Sequence, residues 1–220
     1  MPWPRPAAAP PRDVGGRPYD RGMADDPQRT GQDPLVVADQ AAWRAWLDAN
    51  EQTSDGIWLV LAKKGVTDPT SLGYQEALIE ALCSGWIDGQ RRSRDDTTFV
   101  QRYTPRRKTS LWSERNIGIV ETLIAEGRMR PAGQAEIDRA KADGRWERAY
   151  AGAGRIEMHE DLVAALEASP AATATFERLN AQNRYAVLWR VTTAPNATTR
   201  GNRLAKLIGM LERGETPYPQ

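Results

Sequence analysis

The chain is 220 residues long, with 30 basic and 29 acidic side chains, a net charge of +1 and 40% hydrophobic residues. That length suits one domain with a small appendage, and the near-neutral balance excludes a global field that would draw the molecule to nucleic acid or membrane, so any electrostatic function is local. One cysteine, Cys83, and one histidine, His159, exclude a disulfide framework, a multi-thiolate zinc site and a histidine-rich metal site. No apolar run approaches the ~18 residues of a membrane span, and the mean hydropathy is −0.63. These exclusions favour a binding or protective protein over a catalyst, with no cofactor and no metal.

Residues 1–33 are rich in Pro, Gly, Arg and Asp and carry no periodic apolar face. Such a segment buries too little surface to offset its chain entropy, so a disordered tail is expected. Starts at Met1 and at Met23 are both compatible with it. The alanines after Pro4 and Arg5 are interrupted by prolines and form no leader core, so a cytoplasmic location is expected.

Residues 34–150 read as an α+β domain: a small mixed sheet with packed helices. Leu35, Val36 and Val37 form a short strand candidate. Asp39 is placed to cap a helix whose apolar positions Trp43, Trp46 and Leu47 have helical spacing. The apolar run 57–62, after Asp55-Gly56 and before Lys63-Lys64-Gly65, predicts a buried strand. A helix is expected over about 71–84, with Tyr74, Leu78, Ala81 and Leu82 on one face. Asp88-Gly89 is a turn or a bulge. Residues 90–104 then read as extended chain that turns at Arg94-Asp95-Asp96, and Pro105 ends the pairing because it has no N–H to donate. On the return arm Phe99, Gln101 and Tyr103 share one face, and Val100 and Arg102 the other.

From Thr109 the period is helical. Ser110 and Ser113 are both candidate N-caps for a helix carrying Ile117, Val120, Leu123 and Ile124, with Gly127 as its stop. Pro131 suits the first turn of the next helix, which ends near Gly144. The run 151–154, Ala-Gly-Ala-Gly, reads as a flexible joint. Residues 155–215 then form an all-helical C-terminal subdomain of three short helices. These cover about 160–168, a stretch centred on Phe176, Leu179, Tyr185, Leu188 and Trp189 with a break at Asn180, and about 198–213. The last has a basic side at Arg200, Arg203, Lys206 and Arg213, and its apolar side reads as core rather than as a membrane-binding face.

The densest chemistry lies between Gly89 and Asn116. Arg91, Arg92, Arg94, Arg102, Arg106, Arg107, Lys108 and Arg115 stand there against Asp95, Asp96 and Glu114, with Phe99, Tyr103 and Trp112 interleaved and Trp86 just ahead. Guanidinium groups, the hydroxyls of Ser110 and Ser113, and the free N–H groups of a helix start make an anion cradle. The site residues are Arg91, Arg92, Arg102, Arg106, Arg107, Lys108, Ser110 and Ser113, supported by Trp86, Asp88, Tyr103, Trp112 and Asn116. The alternative is a solvated or internally paired surface, because Arg outnumbers Lys throughout the chain.

The blocks Ser84-Gly85-Trp86-Ile87-Asp88-Gly89-Gln90-Arg91-Arg92, Phe99 through Ser113 with Asn116, and Leu123 through Met129 with Pro131, Ala132 and Gly133 together resemble the YdeI/OmpD-associated family, the bacteriocin-protection proteins. The closing helices, with Leu166 through Pro170, Phe176, Ala194, Arg200, Arg203 and Leu211 through Gly214, resemble that family's C-terminal domain, so the likeness covers about 35–215. The resemblance implies an α+β fold with a helical C-terminal part, a role in tolerance of bacteriocins and cationic antimicrobial peptides, and no established catalytic activity. In one branch of the family it implies association with an outer-membrane porin.

Three functions follow. The first is a non-enzymatic cytoplasmic protection protein that binds an anionic ligand or protein partner through residues 91–115. The second is nucleic-acid binding by arginines and stacked aromatics, disfavoured by the neutral net charge. The third is an uncharacterised enzyme using Asp88, Arg102, Tyr103 and Ser113. Cys83 reads as a small core residue with no base beside it. His159 reads as a surface or capping residue, and Asp95-Asp96 as a turn pair with no third metal ligand.

Overall fold

The computed structural model describes residues 33–220; the expected disordered tail, apart from Asp33, and the choice between Met1 and Met23 lie outside the described residues. The order of elements is α1 (Gln40–Asn50), β1 (Ile57–Ala62), α2 (Tyr74–Cys83), β2 (Trp86–Ser93), β3 (Thr98–Pro105), α3 (Glu114–Ala125) and α4 (Pro131–Ala142). Four helices follow: α5 (Glu160–Glu167), α6 (Pro170–Glu177), α7 (Ala181–Thr192) and α8 (Ala197–Glu212). The architecture is a three-stranded sheet with helices, then an all-helical region.

The sheet has the order β1-β3-β2, and both pairings are antiparallel. Among the described residues its parallel component is one bridge, where Leu35 N donates to Trp58 O and Leu35 O accepts from Val60 N. The strand expected at 35–37 is thus reduced to a single paired residue. The register of β2 on β3 jumps from Asp88 opposite Tyr103 to Arg91 opposite Gln101. Asp88-Gly89 therefore opens a bulge. The Gln101 side chain fills the gap by donating to Gly89 O at 3.0 Å.

One face of the sheet carries Leu59, Leu61, Phe99 and Tyr103 and is covered by Trp43 and Leu47 of α1 and Ala77 and Ala81 of α2. Trp43 Nε1 donates to Ala77 O at 3.1 Å, so the indole joins the two helices while its ring fills the core. Asp39 caps α1 as its sequence position predicts, accepting from Ala42 N. Helix α2 starts three residues later than the periodicity suggests, because the residues before it pair elsewhere. Thr70 and Ser71 donate to Ala38 O, Leu72 O accepts from Ala62 N, and Glu76 reaches back to Gly73 N.

Gly85 and Gly133 set how closely α4 approaches the α2–β2 turn. Gly85 has φ +73, and a Cβ on Gly133 would collide with the Cys83 carbonyl oxygen. That close contact brings Arg128 and Arg130 onto Glu80, a carboxylate only 4% exposed at its side chain. Arg130 also pairs with Asp48 at 3.1 Å, lies 3.9 Å from Glu51, and donates to Ser84 Oγ. Gln40 donates to Glu80 at 2.8 Å from the other side.

The helical region has its own core of Leu162, Leu166, Phe176, Val187, Val191, Leu204, Leu207 and Leu211. The stretch around Phe176–Trp189 is two helices, as the expected break at Asn180 implies: Asn180 caps α7 by accepting from Asn183 N. His159 caps α5 through Nδ1, which accepts from Asp161 N at 3.1 Å. The joint at 151–154 is bridged by packing: Tyr185 OH donates to Ala151 O at 3.4 Å, and the Tyr150 and Trp189 rings meet edge-on at 5.8 Å.

Two outcomes test this core. Arg130→Met strips Glu80, Asp48 and Glu51 of a shared cation, and breaking a buried pair from one side costs about 3 kcal/mol; urea unfolding should show a loss of that order. A loss near zero would mean that the hub does not hold the helices. Cys83 is 2% exposed, and burial, with the Glu80 charge acting the same way, pushes its thiol up. Its reaction with a disulfide reagent should be slow in the native chain and complete only in denaturant; rapid native labelling would contradict a core role.

Candidate functional site

The sheet and its following loop divide the expected cradle into three places. On the helix-covered side, Asp88 sits opposite Tyr103, and Arg91 opposite Gln101. Asp88 accepts from Tyr74 OH at 2.9 Å, and that hydroxyl in turn accepts from Arg115 at 3.4 Å. Arg115 also donates to Gln75 at 2.7 Å, and its guanidinium lies 5.4 Å from the Tyr74 ring centre. Arg91 is exposed and stands 3.8 Å over the Phe99 ring. Among the described residues no carboxylate pairs with either guanidinium. Arg115 thus abuts the Asp88–Tyr74 hydrogen bond, while Arg91 stands farther along the strands over Phe99.

The second place is the outer face, where Arg102 lies opposite Trp58 and Arg92 opposite Val100. The Arg92 guanidinium is 4.5 Å over the Trp58 ring. Alternation along a strand is the cause: residues 91 and 92, or 102 and 103, point to opposite faces. The set Asp88, Arg102, Tyr103 and Ser113 is divided for the same reason. Asp88 and Tyr103 are partners, Arg102 is behind the sheet, and the Ser113 hydroxyl caps α3 by accepting from Asn116 N.

The third place is the loop between β3 and α3. Arg106 is 5% exposed, packs 3.5 Å over the Trp112 ring and donates to Leu111 O at 3.2 Å. Trp112 is buried and lies 5.0 Å from Trp146. Ser110 is buried and accepts from Arg107 N, closing a turn, so of the two candidate caps only Ser113 starts the helix. Arg107 and Lys108 stand exposed at the tip, Asn116 is buried below it, and Trp86 belongs to the sheet core. Beneath the loop, Arg145 donates to Ser110 O at 2.7 Å and pairs with Asp143. Sequence reading missed Arg145, which is far along the chain and outside every block of like charges. It also missed Tyr74 as a hydrogen-bond relay, because the ring occupies an apolar helical position.

The β2–β3 turn is structural. Asp95 accepts from Thr97 and Thr98, through backbone and hydroxyl, and these bonds hold its carboxyl well below the usual carboxylate range. An open cavity of about 450 Å³ lies by the start of α2, lined by Lys63, Lys64, Ser71, Tyr74 and Gln75. Its Lys63 ammonium is already bound to the Asp95 and Asp96 carbonyls. Among the described residues no group of three or more His, Cys, Asp or Glu side chains could hold a metal, and no helix is long and apolar enough to cross a membrane.

Two families match the chain. Residues 35–136, which hold the sheet, the candidate site and the start of α4, match a domain of unknown function (DUF8412). Residues 155–214 match the family described as Bacteriocin-protection, YdeI or OmpD-Associated. No curated protein and no solved structure matches it. The helical region of the chain, residues 155–214, is therefore a domain of the bacteriocin-protection, YdeI or OmpD-associated family.

Proposed function

We propose that this is a non-enzymatic, cytoplasmic protection protein whose α+β part binds an anionic ligand or partner through cations of residues 91–115. The observation that carries the reading is how those cations are held. Arg91 rests on Phe99, and Arg115 rests on Tyr74 and neutral acceptors. The Arg91 guanidinium, held against a ring, leaves its planar fork of N–H donors for a carboxylate or phosphate, which can take two at once, and Arg115 keeps a positive charge that, among the described residues, only neutral groups meet. Arg107 and Lys108 add charge at the tip of a loop that buried Arg106 and Arg145 hold from below. Membership of the helical part in the bacteriocin-protection family supports a protective role.

Burial decides which substitutions test this. Arg106→Glu would place a carboxylate in a buried site and unfold the loop, so it reports on folding. Arg91→Glu with Arg115→Glu, and separately Arg107→Glu with Lys108→Glu, change exposed groups. Purified protein is titrated at low salt with pyrophosphate, a short single-stranded RNA and phosphatidylglycerol vesicles, followed by tryptophan fluorescence. Saturable binding is expected, weakened about tenfold or more by at least one charge-reversing pair, because removing a cation that meets a phosphate weakens binding and flattens its salt dependence. A response to RNA alone would move the function to nucleic-acid binding. No saturable response to any probe, or unchanged affinity in both variants, would overturn the reading.

A further inference from the structure

Residues 215–220 lie outside the family match, which ends at Gly214, yet they are seated on the family domain. Gly214, at φ +73, turns the chain off α8, with Glu215 N donating back to Met210 O. The segment then crosses the first turn of α7, where Asn183 is fully buried. The Asn183 carboxamide accepts from Tyr218 N at 2.8 Å and donates to Tyr218 O at 3.1 Å. It donates as well to Gln220 Oε1 at 3.1 Å, and that same oxygen accepts from Asn180 N at 3.2 Å. Thr216 Oγ1 donates to Tyr218 O at 2.7 Å, and the Arg190 guanidinium lies 5.9 Å from the Tyr218 ring centre.

A carboxamide that takes the N–H and the C=O of one residue does what a neighbouring strand does: it reads main chain, whatever the side chain. The segment it reads is pre-shaped. Pro217 and Pro219 flank Tyr218, fix their own φ and bias the residues before them toward extended backbone, so little ordering entropy is lost on docking. The segment is also superficial: Thr216, Pro217 and Tyr218 are half-buried, and Glu215, Pro219 and Gln220 are exposed. A deeply buried reading group thus faces an occupant that lies at the surface.

We propose that Asn183, with the Asn180 turn of α7 and Arg190, forms a slot for an extended, proline-flanked aromatic peptide of the Pro-Tyr-Pro type, and that residues 215–220 are its tethered, exchangeable occupant. A partner protein presenting such a segment competes with the chain's own. Tethering gives the internal segment an effective concentration of order millimolar, so a partner peptide displaces it only when it binds more tightly or when the segment is altered. The slot is separate from the cations of residues 91–115, and its test leaves them unchanged.

The test uses the full chain with residues 215–220 replaced by Gly and Ser, and a fluorescent peptide Glu-Thr-Pro-Tyr-Pro-Gln followed by anisotropy. The replaced chain should bind the peptide saturably and about tenfold or more tighter than the unaltered chain, whose slot is filled. Asn183→Ala in the replaced background should abolish that binding. No binding by a replaced chain that still melts cooperatively, or binding that survives Asn183→Ala, overturns the proposal. Hydrogen exchange on the unaltered chain decides independently, even if the replacement does not fold. An exchangeable occupant requires the Tyr218 amide to exchange about 100-fold faster than the buried turns of α8, by local opening. Exchange of that amide together with α8 would make the segment a fixed part of the fold and remove the slot.

Discussion

Glu80 carries a negative charge where water does not reach, and much of the α+β part is arranged to make that tolerable. An isolated buried carboxylate would cost several kcal/mol, so it must be paired and hydrogen-bonded. Its partners come from two separate stretches of chain: Gln40 from α1, and Arg128 and Arg130 from the turn before α4. Arg130 passes the connection on to Asp48 and Glu51 at the end of α1, and Glu51 O receives the Trp86 indole from β2. Satisfying one charge therefore positions α1, α2, β2 and α4 together. The two small residues at Gly85 and Gly133 are the steric side of the same constraint, because the guanidiniums reach Glu80 only if the backbones nearly touch.

The arginines of the chain fall into two roles that composition does not distinguish. Arg106, Arg130 and Arg145 are buried or nearly so and hold loops and helices by donating to carbonyls and carboxylates. Arg91, Arg107 and Arg115 are exposed. The interleaved aromatics explain why both roles occur in one segment. Phe99 and Trp112, within the segment, and Tyr74, brought to it from α2, each offer a ring face to a guanidinium, buried in one case and open in the others. The spacing of arginines and aromatics is visible in the sequence; which member of each pair is sealed depends on what packs behind the ring.

The elements that are legible are those whose local signals agree with their packing. The apolar run of β1, the turn at Asp95, the cap at Asp39, and the stops at Gly127 and Gly214 all have a cause within a few residues. The start of α2 is not legible, because Thr70 and Ser71 bond Ala38 more than thirty residues away, a pairing that no window contains. The site is legible only as a set of residue types. Strand alternation separates Arg91 from Arg92 and Tyr103 from Arg102, and the bulge after Asp88 restarts that alternation, so no count along the sequence gives the sidedness of both strands. The pairing of Tyr74 with Asp88 and of Arg145 with Ser110 depends on tertiary contact alone.

Arginine is required at these positions in a way lysine would not meet. A ring-stacked guanidinium lies flat and keeps donors at its rim, whereas an ammonium over the same ring points its protons at the ring or at solvent in no fixed plane. The same argument holds beneath the loop. Arg145 uses one edge of its fork on Asp143 and another on Ser110 O, two partners in different directions that a single ammonium on a flexible stem does not hold in one geometry. The arginine excess of this chain is therefore compatible with a compositional bias without being explained by it. Where rings and carbonyls meet a guanidinium at these distances, the planar group fixes the loop that carries Arg107 and Lys108, and a loop fixed in advance loses less entropy when an anion arrives.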